Sequence, residues 1–194
     1  FVNAGYSMEL TNGLYLNSKF QYSNKQSIIN LNTNEFSEYL FGEQESAVDF
    51  QQYRIFTFEA DFIYRFGQKY MTRGRKKIIL PDNNPVASLK YRKGVPGIGM
   101  SEVNFDYLEL KFEHKLPSTK YGSLNYNARA GSFINKASLR ELEYNFFRGS
   151  TRWIFTNPLR DLVQLGETRV SPNAFFQAGG IHHFDGFFLI SQIQ

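Results

Sequence analysis

The chain has no cysteine among its 194 residues, which excludes disulfides, thiolate metal sites and cysteine nucleophiles. It has no run near the ~20 apolar residues that a membrane-crossing helix needs. Its mean hydropathy of −0.41 likewise excludes a bundle of such helices. A β-barrel wall is not excluded, because only alternate residues of its strands need be apolar. Proline is scarce: the six prolines (Pro81, Pro85, Pro96, Pro117, Pro158, Pro172) fall in connections or at strand starts, where no ladder hydrogen bond is lost.

Aromatic residues are abundant. With 20 Phe and 12 Tyr they reach 17% of the chain. Such residues favour strands and also line membrane interfaces. The hydrophobic share of 42% argues against disorder. The net charge of +4 is modest and dispersed, apart from Arg73, Arg75, Lys76 and Lys77. That cluster reads as a solvated turn, with anionic headgroups or a partner as the alternative. No aromatic-flanked basic groove is visible, so nucleic acid is not an expected partner.

Alternation organises the chain. From Arg54 to Phe66, one face carries Phe56, Phe58, Ala60, Phe62, Tyr64 and Phe66, and the other Thr57, Glu59, Asp61 and Arg65. A strand separates these sets, whereas a helix would mix them. Leu108, Leu110, Phe112 and Leu116 oppose Glu109, Lys111, Glu113 and Lys115 in the same way. Leu124, Tyr126, Ala128 and Ala130 oppose Asn125, Asn127 and Arg129. Near the start, Val2, Ala4, Tyr6 and Met8 oppose Asn3, Ser7 and Glu9. Leu14, Leu16, Phe20 and Tyr22 oppose Asn17, Lys19 and Gln21. Weaker strands are expected over 85–93 and 173–184.

Two hairpins have a testable register. Folding about Asn12, before Gly13, sets Met8 opposite Leu16 and Glu9 opposite Tyr15. Folding about Thr119 sets Phe112 opposite Tyr126 and Glu109 opposite Arg129. The turns at 11–13 and 117–121 fall at one end of the strands. The long polar segments 25–50 and 135–170 fall at the other, and 67–84 is a long connection on the short-turn side.

These features predict an all-β fold, an antiparallel transmembrane β-barrel of which about eight strands are present. Residues 1–194 form a single segment with no internal domain boundary. Lipid is expected against Phe20, Tyr22, Phe56, Phe58, Phe62, Tyr64, Phe66, Leu108, Leu110, Phe112, Leu124 and Tyr126. The lumen is expected to hold the charges of Lys19, Glu59, Asp61, Arg65, Lys90, Arg92, Glu109, Lys111, Glu113, Lys115 and Arg129. A soluble lipocalin-like barrel or sandwich would also alternate and stays open. Phe1 to Tyr6 already alternates like a strand, and Phe187 to Gln194 shows no terminal cap. The expectation is a section of a larger barrel, so a missing signal segment does not argue against export.

The stretch Gly67-Gln68-Lys69-Tyr70 leads through basic residues to Ile78-Ile79-Leu80-Pro81. Pro85, Tyr91-Arg92-Lys93-Gly94, the run Ser101 to Leu110, and His182-His183-Phe184-Asp185-Gly186-Phe187 follow. Over roughly residues 50–190 this resembles the C-terminal barrel of a Bacteroidota outer-membrane family of unknown function. Members often carry an N-terminal carboxypeptidase-regulatory-like domain. The resemblance implies such a domain upstream, further strands on both sides, and no established catalytic residues.

Candidate sites are few. His182 and His183 are adjacent and point to opposite faces, so they cannot chelate one metal together; turn-proximal hydrogen bonding is the expectation. Glu59 and Asp61 share a face about 7 Å apart, as a glycosidase pair or calcium site would, or as part of a charge ladder with Lys90 and Arg92. The ladder is the expected reading. Gly94-Val95-Pro96-Gly97-Ile98-Gly99 leads into a strand and not a helix, so it reads as a flexible loop and not a dinucleotide motif. Trp153, with Phe146, Phe147 and Phe155, is read as part of a loop that folds back over the barrel mouth or extends a strand above the membrane, with capture of a ligand or protein partner as the alternative. No catalytic, cofactor or metal residue is assigned. The expected function is a structural, assembly or export-associated role in the outer membrane, with lipid and other envelope proteins or lipoproteins as partners. A passive channel or transporter for polar solutes is the alternative, and an outer-membrane enzyme ranks lower.

Overall fold

The computed structural model describes residues 1–27, 50–119, 122–147, 149, 159 and 169–184. It is all-β and antiparallel. Seven strands form the main sheet: β1 (Val2–Thr11), β2 (Leu14–Lys25), β3 (Tyr53–Arg65), β6 (Val86–Gly94), β7 (Asn104–Thr119), β8 (Gly122–Ser138) and β11 (Ala174–His183). Short hairpins are made by β4 (Tyr70–Arg73) with β5 (Lys76–Ile79), and by β9 (Asn145–Phe147) with β10 (Arg169–Ser171). Two single 3-10 turns cover Ile98–Met100 and Glu141–Glu143.

Each strand of the main sheet pairs antiparallel with its neighbour, in order along the chain. The sheet has two edges, β1 and β11, and does not close on itself among the described residues. Being first and seventh, these edges run in the same direction.

The register of β1 and β2 follows the sequence expectation: Met8 faces Leu16 and Glu9 faces Tyr15. Gly13 adopts φ 85°, as a tight turn after Asn12 requires. The register of β7 and β8 differs. Phe112 faces Ala128, and Glu109 faces Gly131, two residues from the expected partners. The cause is the turn: the ladder runs on through Pro117 to a Thr119–Gly122 pair, where Gly122 takes φ 102°. A slip of two preserves which face each side chain occupies, so the alternation holds. The connection at 67–84 also differs from expectation, since most of it is the β4–β5 hairpin turning at Gly74, φ 62°.

Among the described residues, one face of the sheet is largely bare. A single row of partners crosses all seven strands on it: Met8, Leu16, Phe62, Leu89, Leu110, Ala130 and Phe176. Phe20 and Phe58 stack at 5.0 Å in a neighbouring row, and Tyr64 meets Phe66 edge-on at 4.7 Å.

The opposite face is covered at one end. There Tyr53, Ile55, Val103, Phe105, Tyr107 and Phe133 are buried together, with Phe50, Leu139 and Phe175 packed against them. Tyr107 meets Phe133 at 4.9 Å, and Phe105 meets it edge-on at 6.0 Å. Gly94 permits this closeness, because a Cβ there would lie 2.6 Å from the Phe105 ring. Residues 95–103 seal the end. Val95 N–H donates to the Phe56 carbonyl (2.9 Å), Glu102 N–H to the Arg54 carbonyl (3.0 Å), and Phe56 N–H to Ser101 Oγ (3.1 Å). The stretch Gly94–Gly99 is thus folded and not a free loop: Tyr22, on the apolar face, donates its hydroxyl to the Gly99 carbonyl at 3.0 Å.

Candidate functional site

The charged residues expected in a lumen share the covered face. Lys19 stands opposite Glu59, and Glu59 opposite Arg92. Asp61 stands opposite Lys90, and Lys90 opposite Glu109. Lys111 stands opposite Arg129, Glu113 opposite Asn127, and Lys115 opposite Asn125. Asp61, Arg65, Lys90, Glu109, Lys111, Glu113 and Arg129, with Ser88 and Asn127, line a trough of about 470 Å³.

The ladder is built differently from a row of cross-strand ion pairs. Lys111 pairs with Glu113 along its own strand at 2.6 Å. Glu109 accepts from the Tyr107 hydroxyl at 2.5 Å. Arg129 donates to Gln177 at 2.7 Å and lies over the rings of Phe147 (5.2 Å) and Phe175 (5.3 Å). Arg92, expected beside Glu59 or Asp61, instead engages Glu143, at 3.5 Å to the carboxylate and 2.8 Å to the main-chain carbonyl. Arg92 also lies over Phe105 and Tyr107, at 5.0 and 5.6 Å. The Tyr53 hydroxyl donates to the same carboxylate at 3.3 Å.

Sequence reasoning missed Glu143 and the apolar end of this face. Tyr107 and Phe105 do share parity with Glu109, so the apolar end was readable. The return of Glu143 was not, since it lies 51 residues from Arg92 along the chain.

The residues expected against lipid occupy the bare face together, with Phe66 just beyond β3. A polar patch interrupts that face toward the long-connection end. Lys93 pairs with Asp106 at 2.7 Å, Tyr91 hydroxyl donates to Asp106, and Asn135 donates to it at 3.1 Å. His182 is on the bare face, its ring 4.3 Å from that of Phe184, and His183 is on the other. His114, also on the bare face, bonds the Tyr126 hydroxyl at 2.9 Å. No group of three metal-ligating side chains occurs among the described residues. Phe147 is buried on the covered face while Phe146 is exposed; Trp153 and Phe155 lie outside the described residues.

At the short-turn end, Gln68 is a buried hub. Its main-chain carbonyl accepts from Asn12 (2.8 Å), and its Oε1 accepts from the Tyr15 hydroxyl (2.8 Å). Its Nε2 donates to Glu9 (3.2 Å) and Asn12 (3.1 Å). Lys77, from the basic cluster, pairs with Glu9 at 2.5 Å, which binds the β4–β5 hairpin to β1.

Fold and site together define an all-β antiparallel meander with one bare apolar face and one charged, partly covered face. The family described as "Family of unknown function (DUF5686) C-terminal domain" matches residues 1–194, and the chain belongs to it. No curated protein and no solved structure matches the chain.

Proposed function

We propose that this chain is part of an antiparallel β-barrel spanning the outer membrane of a Bacteroidota envelope, with a structural, assembly or export-associated role. The observation that carries the reading is the bare row. Of its members, Phe62, Leu89, Leu110 and Phe176 are 39%, 40%, 57% and 74% exposed. An apolar surface continuous over seven strands calls for lipid or a large partner, because soluble monomers rarely expose one of this extent. Dimensions support lipid. From Leu108 to Leu116 β7 advances about 27 Å at roughly 3.4 Å per residue. At a barrel tilt of about 40° this spans roughly 20 Å of the normal, close to the ~25 Å apolar band of such barrels. The Lys93–Asp106–Asn135 patch then sits where the apolar band ends. Since β1 and β11 run in the same direction, antiparallel closure takes an odd number of strands between them.

In this reading the partners are lipid and other envelope proteins or lipoproteins. No enzymatic role is proposed. A passive channel for polar solutes is the second reading, favoured by the mixed charges of the trough. Burial of the other end of the same face ranks it lower. The test is whether the protein needs detergent and migrates differently on gels when unboiled. A water-soluble monomer would overturn the membrane reading, and steady conductance of the full-length protein in planar bilayers would favour the channel.

A further inference from the structure

Residues 139–147 run across the covered face, from β3 and β6 to β8 and β11. After β8 ends at Ser138, the chain makes the 3-10 turn Glu141–Glu143 and then β9. Glu143, 7% exposed, is anchored on Tyr53 of β3 and Arg92 of β6. Phe147, also 7% exposed, is anchored edge-on to Phe175 of β11 at 4.7 Å, with Arg129 of β8 stacked over both rings. From β6 to β11 is three strand spacings, about 14 Å. Four extended residues from Glu143 to Phe147 also reach about 14 Å. The segment is thus as long as the wall it crosses. Gly131 makes room beneath it, since a Cβ there would lie 2.6 Å from the Tyr107 hydroxyl and 2.7 Å from the Phe175 ring.

We infer that residues 139–147 are a strap that closes the covered face between the charged trough and the long-connection end, latched by the Arg92–Glu143 pair. The pair suits a latch. Glu143 brings its carboxylate into a site walled by Tyr53 and Arg92, and each charge becomes an unpaired charge in a poorly solvated place if the other is removed. The arginine is held from both sides, by the carboxylate and by the Phe105 and Tyr107 rings, so it stays in position when the strap leaves. Thr57, 6% exposed, shares a pocket of about 210 Å³ with Glu59, Arg92 and Glu143, directly beneath the strap. If the proposed barrel is correct, the strap is the barrier that keeps its lumen from conducting.

The strap itself is tested without assuming a membrane. The chain has no cysteine, so Thr57→Cys provides a single thiol under the latch. Adding Glu143→Ala should raise its labelling rate by a water-soluble maleimide at least about tenfold, and the exchanged pair Arg92→Glu with Glu143→Arg should recover part of the protection. Phe147→Ala, which leaves the charges in place, should raise labelling as well. Equal labelling in Thr57→Cys alone and with Glu143→Ala would overturn the strap. So would fast labelling before any further change. Conductance of the full protein in planar bilayers is the second arm. Glu143→Ala should conduct where the parent does not; a folded, inserted Glu143→Ala protein as silent as the parent would overturn the strap as the barrier. Failure of every variant and the parent to insert, with the labelling difference intact, would overturn the membrane reading and leave the strap standing.

Discussion

Lys111 and Arg129 stand directly opposite one another on β7 and β8, two like charges at the centre of the covered face. Each has another place to go: Lys111 lies along its strand to Glu113, and Arg129 turns away to Gln177 and two rings. The two are therefore unequal. Lys111→Gln loses a part-exposed ion pair and relieves the repulsion, so stability should change by no more than about 0.5 kcal/mol. Arg129→Ala loses a hydrogen bond and stacking on Phe147 and Phe175, at a cost of about 2 kcal/mol. Arg129→Lys should resemble the alanine variant, because an ammonium cannot stack in the same way. Denaturant unfolding of the purified protein measures all three; a Lys111→Gln loss as large as that of Arg129→Ala would contradict this assignment.

Neighbouring positions on β6 separate the two faces. Leu89 is in the middle of the bare row, and Ser88 lines the trough. With lipid on the bare face, Leu89→Arg should cost about 2–4 kcal/mol of folding into bilayers, and Ser88→Arg less than about 1 kcal/mol. Thr57 is a poor partner for such a comparison, since it is buried beneath Glu143. Urea titration of folding into phospholipid vesicles is the measurement. Equal costs would mean that the bare face does not meet lipid.

Much of this architecture is legible in the chain because a strand's period is two. Glu59 and Asp61 against Phe58 and Phe62 place both faces of β3 without reference to any other strand. Asn12-Gly13 supplies the one register that local chemistry determines. The β7–β8 register was beyond alternation, because a slip of two leaves every face unchanged, and Pro117 reads as a turn residue although β7 runs on past it to Thr119. The β4–β5 hairpin was hidden by the brevity of its strands, although Gly74 between Arg73 and Arg75 marks its turn. The latch was not legible at all. Arg92 has Glu59 and Glu143 as candidate partners, and only the packing of Tyr53, Phe105 and Tyr107 decides between them.

Gly131 and Gly180 make a second controlled comparison. A methyl group at Gly131 would press on the Tyr107 hydroxyl and the Phe175 ring, whereas at Gly180 it would meet nothing closer than 3.8 Å. Gly131→Ala should cost about 1–3 kcal/mol through overpacking beneath the strap. Gly180→Ala, in a strand interior, should be neutral or slightly stabilising, by about 0.5 kcal/mol. Thermal unfolding of the two variants side by side is sufficient. A tolerated Gly131→Ala would mean that the rings are not packed as closely as described.

Gln68 offers the sharpest contrast, because its two amide atoms have opposite roles. Oε1 accepts from Tyr15, while Nε2 donates to Glu9 and Asn12. Gln68→Leu leaves the Tyr15 hydroxyl and the Asn12 oxygen without these partners and should cost about 2–3 kcal/mol. Gln68→Glu keeps the shape and the acceptor for Tyr15. It replaces the donor with an oxygen facing the Glu9 carboxylate, and that carboxylate already has Lys77 as its cation. Two carboxylates around one lysine at a buried position should therefore make the near-isosteric change at least as damaging as leucine at neutral pH. Acidification should narrow the gap, since protonating either carboxyl restores a donor. Denaturant midpoints of the two variants at neutral and acidic pH decide the matter. A Gln68→Glu protein more stable than Gln68→Leu at neutral pH would remove the hub from the account of how the hairpin is held.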